Sequence, residues 1–275
     1  MKGTLRPLFS GLLLLASLAA YAQSPLVSVK FRERFDAPSG PDSVTTFHTT
    51  PSTTVPYWND TTALFVSPGK SYHAKVVPFD SIIFETNTFS TLGNVFVRMT
   101  FDQICKVHYG QQAYIMVSNN NGATWTRLGA PHYQGPSSNF NATSPYFNEI
   151  SYPNPSAANY WGGLTLTGAG TAPLPSWWVQ ETFNLSSLLG GGPAGTGNGF
   201  AQCKIRFILE YRTPQGQADP AGWFVDNVKV EAAPCELQAP SFKFNIPGGS
   251  QPIGARYFVN ESIILRARDP KTQGI

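Results

Sequence analysis

Gly222-Trp223-Phe224-Val225-Asp226-Asn227-Val228-Lys229-Val230-Glu231 reads as a β-strand. β-Branched and aromatic residues dominate it, and apolar and polar residues alternate through its second half. A counterpart stands near the start of the chain, Phe31-Arg32-Glu33-Arg34-Phe35-Asp36, with aromatic and charged residues in alternation. Both carry acidic residues at strand-end positions, and together they bracket one large β-rich region. Between them lies a hairpin signature, Ser118-Asn119-Asn120-Asn121-Gly122-Ala123-Thr124-Trp125. Gly122 supplies the positive φ such a turn needs, and Asn120 can bond its own turn backbone. The pattern occurs once, which argues against a propeller built on its repetition.

Working outward, strand-like runs recur with turn signals between them. They are Val27–Phe35, Ser71–Val77, Ser81–Glu85, Val95–Val107, Ala113–Ser118, Thr124–Leu128, Trp178–Phe183, Lys204–Arg212 and Trp223–Glu231. No stretch sustains a 3.6-residue apolar period, so little helix is expected. Two stretches read as long loops. Residues 131–175 are rich in Asn, Ser, Pro, Gly and aromatics, and residues 190–199 are nearly all Gly with Pro, Ala, Thr and Asn. The fold class predicted is all-β, a jelly-roll sandwich.

Residues 1–22 read as an export signal. Lys2 and Arg6 precede the apolar run Leu8–Ala20, and Ala20-Tyr21-Ala22 is a small-x-small cleavage site before Gln23. The run is too short to span a bilayer. The expected localisation is secreted or outer cell surface. Without the signal, basic residues fall from 19 to 17 against 16 acidic ones, and net charge falls from +3 to +1. No basic stripe is left, which excludes a nucleic-acid binder. The sandwich is expected over residues 23–231. A Pro-rich linker follows over 232–240 and the start of an incomplete immunoglobulin-like β-domain over 241–275, so further domains of the same polypeptide are expected.

The chain has three cysteines. Cys105 and Cys203 both lie in strand-like runs and are the candidate disulfide pair, a bridge that would close a loop of about 100 residues and contribute about 4–5 kcal/mol in the chain-entropy account. The alternative is two buried thiols. Cys235 sits in the Pro-rich junction and is expected to be free.

With these residues in view, the chain resembles the jelly-roll modules of secreted bacterial surface proteins, the cleaved-adhesin and choice-of-anchor domains of Bacteroidetes, which are similar in pattern to MAM domains and reelin subrepeats. The resemblance covers about Val27–Glu231. It rests on Phe31-x-Glu33-x-Phe35-Asp36, the hairpin from Val117-Ser118 to Trp125, Trp178…Phe183-Asn184-Leu185-Ser186, and Gly222 to Val228. The chain departs from the pattern at Asn120, where Asp is more usual, and in its long aromatic insertion. The resemblance implies a double-sheet scaffold that presents loops for binding or packs beside a catalytic partner. It also implies a structural Ca²⁺ where the first and last strands meet, with Glu33, Asp36 and Asp226 as ligands. Hard oxygen donors at strand ends suit that ion. The alternative is that the carboxylates cap turns or pair with Arg32 or Lys229.

No catalytic constellation is readable in the sequence, although a glycosidase carboxylate pair, which needs no fixed sequence spacing, stays open among Asp102, Glu149, Glu181 and Glu210. His48, His73, His108 and His132 show no metal-binding spacing. There is no Gly-x-Ser-x-Gly elbow and no phosphate-cradling loop. Aromatics in polar loop contexts point to sugar binding, because a ring face stacks on a pyranose while amides take its hydroxyls. Tyr57, Trp58, Tyr160 and Trp161 are the candidate ligand-binding residues, whereas Trp125, Trp178 and Trp223 are expected in the core. The function expected is an exported, non-catalytic binding or adhesion module for a polysaccharide or glycoprotein at the cell surface. The alternatives are an accessory domain of a secreted peptidase or glycosidase, and a structural spacer.

Overall fold

The computed structural model describes residues 27–36, 43–49, 58–154, 156–158, 161, 172–191, 199–212 and 221–234. The chain divides into two compact units, Met1–Leu237 and Gln238–Ile275. All described residues belong to the first. The expected signal, the immunoglobulin-like segment, most of the linker, Cys235, Tyr57 and Tyr160 lie outside the described residues.

The fold is an all-β sandwich of two antiparallel sheets. Its strands are β1 (Ser28–Glu33), β2 (Val44–His48), β3 (Asn59–Thr61), β4 (Ser71–Ala74), β5 (Ser81–Thr86), β6 (Phe96–Lys106), β7 (Gln111–Ser118), β8 (Thr126–Arg127), β9 (Val179–Asn184), β10 (Lys204–Tyr211) and β11 (Gly222–Ala233). One sheet has the order β3-β4-β11-β6-β9, with β1 also pairing β11. The other runs β2-β5-β10-β7-β8. From β4 onward the chain passes back and forth between the sheets, apart from the β7–β8 hairpin within one of them, the wrapping of a jelly roll. The bracketing segments meet as expected: Arg32 lies opposite Lys229, and Glu33 opposite Val228. One single-turn helix, α1 (Ser186–Leu189), follows β9.

Period-two alternation aims one face of each strand into the sandwich. Val97, Met99, Phe101, Gln103 and Cys105 of β6 are fully buried, as are Phe207 of β10 and Trp223 and Val225 of β11. Aromatic rings join the two sheets. Phe207 meets Phe84 at 4.4 Å, Phe101 at 5.0 Å and Trp223 at 5.8 Å between centroids. Gly222 opens β11 at φ 106°, and a side chain there would run into the Ala74 carbonyl and the His73 ring. The glycine is thus required twice over, by conformation and by space.

Several expectations are corrected. Cys105 and Cys203 are both buried free thiols and not a disulfide. Cys105 faces the interior from β6, while Cys203 pairs with Phe89 ahead of β10, where Thr91 Oγ1 lies 3.5 Å from its sulfur. The expected linker starts later than residue 232, because Ala232 and Ala233 are buried in β11 opposite Val97 and Phe96. Strands β2 and β3 go beyond the predicted set. Trp125 is half-buried beside the five-stranded sheet and lies outside the core.

Candidate functional site

Two of the expected ligand-binding residues are core residues. Trp58 is 2% exposed and packs on Tyr72, Phe84 and Trp223 at 5.6, 4.7 and 5.2 Å. Trp161 is fully buried, its indole N–H donating to the Trp177 carbonyl at 2.9 Å and its own carbonyl accepting from Lys106 Nζ. Neither ring has a face to offer a ligand. The polar residues around each, Asn59-Asp60 after Trp58 and Gly162-Gly163 after Trp161, suggested exposed loops. A large ring gains more by burial than by exposure, and here each found a place in the core.

Two of the three expected calcium ligands, Asp226 and Glu33, are committed elsewhere, and the third, Asp36, is exposed just past the end of β1. Asp226 Oδ2 accepts from the backbone N–H groups of Val66 and Ser67, each at 2.8 Å. Its Oδ1 accepts from Asn227 N at 2.7 Å and lies 2.7 Å from the Ser67 hydroxyl. Glu33 accepts from the N–H groups of Arg34 and Phe35 through Oε1 and of Ser43 through Oε2. Donors of this kind occupy lone pairs a cation would need on Glu33 and Asp226, so these two carboxylates do not fit a Ca²⁺ site. Among the described residues no group of three acidic, His or Cys side chains could hold a metal ion. Excess EDTA is therefore expected to leave the melting temperature where excess Ca²⁺ leaves it. A drop of several degrees on chelation would show that these carboxylates do hold a cation.

The outer face of the five-stranded sheet is chemically unusual. A sheet face turned to water normally carries polar side chains. Here β2, β5, β10 and β7 place an apolar row across it: Phe47 lies opposite Ile83, Ile83 opposite Ile208, and Ile208 opposite Tyr114. Ile83, Ile208 and Tyr114 form a second apolar cluster, separate from the core, with Phe47, Met116 and Tyr146 packed around it. Rows that are polar except for Met116 flank it. On one side run Thr45, Glu85, Arg206, Met116 and Arg127, and on the other Ser81, Glu210 and Gln112.

Two arginine guanidinium groups sit over the rings. The Arg206 guanidinium sits 4.0 Å from the Trp125 ring and 5.1 Å from Phe47. Arg127 sits 3.9 Å from Tyr114 and 5.9 Å from Tyr146. Both are held edgewise. Glu85 takes Arg206 Nε and Lys204 Nζ, each at 2.7 Å. The Pro145 carbonyl takes Arg127 Nη2 at 3.2 Å, with Gln112 Oε1 at 3.3 Å. Burial pushes the Glu85 carboxyl up, but the Lys204 and Arg206 hydrogen bonds outweigh it and hold the group below the usual carboxylate range. Burial, and then the Glu210 carboxylate, push the Tyr114 hydroxyl up, which keeps it a neutral phenol. A ligand would meet a pre-formed surface of guanidinium planes over aromatic rings, bordered by half-buried Phe47, Met116 and Tyr146.

Three carbohydrate-binding modules are similar in structure to this chain. The xylan-binding CBM22-1 domain of Paenibacillus barcinonensis Xyn10C is 7% identical, with a TM-score of 0.35 over 77% of this chain and 98% of that one. The family 11 module of the cellulosomal cellulase Lic26A-Cel5E of Clostridium thermocellum is 10% identical, with a TM-score of 0.33 over 75% and 97%. A family 29 module is 8% identical, with a TM-score of 0.33 over 76% and 90%. No protein-family model matches the sequence, and no curated protein does. At such low identity and TM-score, function has to be read from the side chains.

Proposed function

We propose that this protein is a non-catalytic carbohydrate-binding module whose ligand, an extended polysaccharide chain, lies across the outer face of the five-stranded sheet. The observation that carries the reading is the apolar row Phe47–Ile83–Ile208–Tyr114 between two largely polar rows, topped by edge-pinned arginines. A sugar chain is amphipathic in the same sense: its C–H faces need flat apolar surface, and its hydroxyls need donors and acceptors at the rim. Phe47, Met116, Tyr146 and the guanidinium planes supply the first. Arg127, Arg206, Glu210 and Gln112 supply the second. Little has to move, so little entropy is lost on binding. The carboxylates of the face are engaged by cations, Glu85 by Lys204 and Arg206, and Glu210 by Arg212. That suits holding a substrate more than transferring protons to it. An extracellular location for this activity is part of the proposal, supported by the export signal read at residues 1–22 and by the resemblance to secreted adhesin-type modules. No described helix is long and apolar enough to cross a membrane.

The test is affinity electrophoresis and calorimetry of the full chain against neutral soluble polysaccharides: xylans, mixed-linkage glucans, xyloglucan and mannans. Phe47→Ala and Tyr146→Ala are each expected to weaken binding roughly ten-fold or more, the scale of an aromatic hot spot, with the melting temperature little changed. A blank across the panel for the wild-type chain, or unaltered binding in both variants, would sink the reading.

A further inference from the structure

The opposite sheet carries a feature that the proposed glycan face does not use. Its outer surface holds a groove of about 210 Å³ lined only by polar side chains: Arg32, Arg34, Thr100, Asp102, Gln180, Asn227 and Lys229. The residues come from β1 and the turn after it, then β11, β6 and β9, so the groove crosses four neighbouring strands, about 14 Å at ordinary strand spacing.

A β-bulge shapes its floor. Between Asp226, opposite Asp102, and Lys229, opposite Thr100, β11 has two residues where β6 has only Phe101. The extra residue is Asn227, at φ 50°. It keeps Val228 and Val230 facing the core while turning its own amide outward, where Nδ2 donates to Asp102 Oδ2 at 2.9 Å. A non-glycine residue in the left-handed region at a bulge is a locally unfavourable conformation, and such devices re-aim side chains at binding sites.

Charge is unevenly spread along the groove. Arg32 and Arg34 are exposed, and among the described residues neither guanidinium has an ion pair or a hydrogen bond. Lys229 beside them is balanced by Glu231 at 2.9 Å. At the far end Asp102 is pushed up from the usual carboxylate range by burial, with the Asn227 and Gln180 hydrogen bonds pulling against it and the Asp226 charge adding to it. Thr100, Gln180 and Asn227 bring neutral hydroxyl and amide groups.

We propose that this groove is a second ligand site, which takes an acidic saccharide unit. Its carboxylate or sulfate would lie against Arg32 and Arg34, and its hydroxyls against Asn227, Asp102 and Gln180. Two guanidinium groups without a partner among the described residues stand at one end, complementary to a planar or tetrahedral oxyanion. A bare anion would leave the amide and carboxylate end without a role, and that end matches sugar hydroxyls. The choice of a saccharide as the carrier of the anion rests on the glycan-binding reading of the opposite face.

The experiment measures binding of the full chain to oligogalacturonides for the carboxylate, to dextran sulfate for the sulfate ester, and to the neutral polysaccharide that the other face prefers. Inorganic sulfate serves as a competitor. The double variant Arg32→Ala/Arg34→Ala is expected to lose ten-fold or more in affinity for at least one acidic probe while neutral binding stays unchanged. Phe47→Ala should show the reverse pattern. Failure of the wild-type chain to bind either acidic probe, or equal binding by the double variant, overturns the site. Complete displacement by low concentrations of inorganic sulfate overturns the saccharide assignment, because a general anion site would then suffice. Acidic binding without any neutral binding would overturn the reading of the five-stranded face and leave the groove standing.

Discussion

Asp226→Ala is expected to lower the unfolding free energy by about 3–5 kcal/mol, the range for removing one partner from a buried charged network. For a domain of this size that corresponds to about 10 °C in melting temperature. Asp226 is fully buried and gathers the N–H groups of Val66, Ser67 and Asn227 together with the Ser67 hydroxyl. The Ser67 hydroxyl also lies 2.9 Å from the Arg34 carbonyl, so the same knot ties β11, the segment before β4 and the end of β1. Truncation leaves three backbone donors without their acceptor, the Ser67 N–H among them buried inside the protein. Asp226→Asn keeps one acceptor oxygen but turns an amide N–H₂ toward existing donors, and about 2–3 kcal/mol is expected from the same accounting. Urea unfolding of the two variants checks this, with a common m-value showing that the cost is in stability. A loss below about 1 kcal/mol for Asp226→Ala would mean that water satisfies those donors and that the knot is incidental.

Much of this fold was legible because its strands alternate. The Gly222–Glu231 run and the Phe31–Asp36 run pair as read, and the interior positions of β6 and β10 follow from period two alone. β2 and β3 were not legible. Val44-Thr45-Thr46-Phe47-His48 holds few apolar residues, and Asn59-Asp60-Thr61 has the composition of a turn. They are strands because a neighbour pairs with them, which local propensity does not encode. The proposed binding face was missed for a related reason. Aromatics in polar loops drew attention to Trp58 and Trp161, whose contacts come from distant parts of the chain. The signal that was present is subtler. In Ser81-Ile82-Ile83-Phe84-Glu85 and Ile205-Arg206-Phe207-Ile208-Leu209, both faces of the strand are apolar at the centre, so Ile83 and Ile208 must lie on the side away from the core. An apolar outward position in an antiparallel strand is a question about what covers it. Here the cover is two arginines and a loop tyrosine. Of the acids expected to bind calcium at strand ends, Glu33 does end β1, but Asp226 lies inside β11 at its bulge and Asp36 lies beyond β1. Sequence could not show that backbone N–H groups reach Glu33 and Asp226 first.

Glu181→Ala is expected to cost about 3–5 kcal/mol, again the range for a buried charged network, and to weaken glycan binding as well. Glu181 faces the interior from β9 and is fully buried. It accepts from Gln103 Nε2 at 2.9 Å and from the Tyr133 and Tyr152 hydroxyls, each at 2.6 Å. Gln103 in turn accepts from the Trp223 indole at 2.7 Å. A side chain on Gly135 would run into the Glu181 carboxylate and the Tyr133 hydroxyl, so the approach is closed to anything but glycine. This knot fastens the long insertion to β9, where Gln134 N also bonds the Thr182 carbonyl. The same insertion pairs Phe147 with Ala113 and carries Pro145 and Tyr146, which hold Arg127 on the binding face. Loosening one end should therefore cost order at the other. The pH dependence separates the carboxyl from mere packing. Burial raises the Glu181 pKa, and the Tyr133, Tyr152 and Gln103 hydrogen bonds pull it down without cancelling that rise. A folded-state value above the unfolded one means that the folded protein holds the proton more tightly. This contribution is complete below the ordinary glutamate range and is lost as pH rises through the folded-state value. Glu181→Gln removes that titration while keeping the shape. The stability gap between wild type and Glu181→Gln should then narrow as pH rises, read from urea midpoints across a pH series. A gap that widens with pH would show that the network prefers the ionised carboxylate, held by its two tyrosines as an anion inside the sandwich.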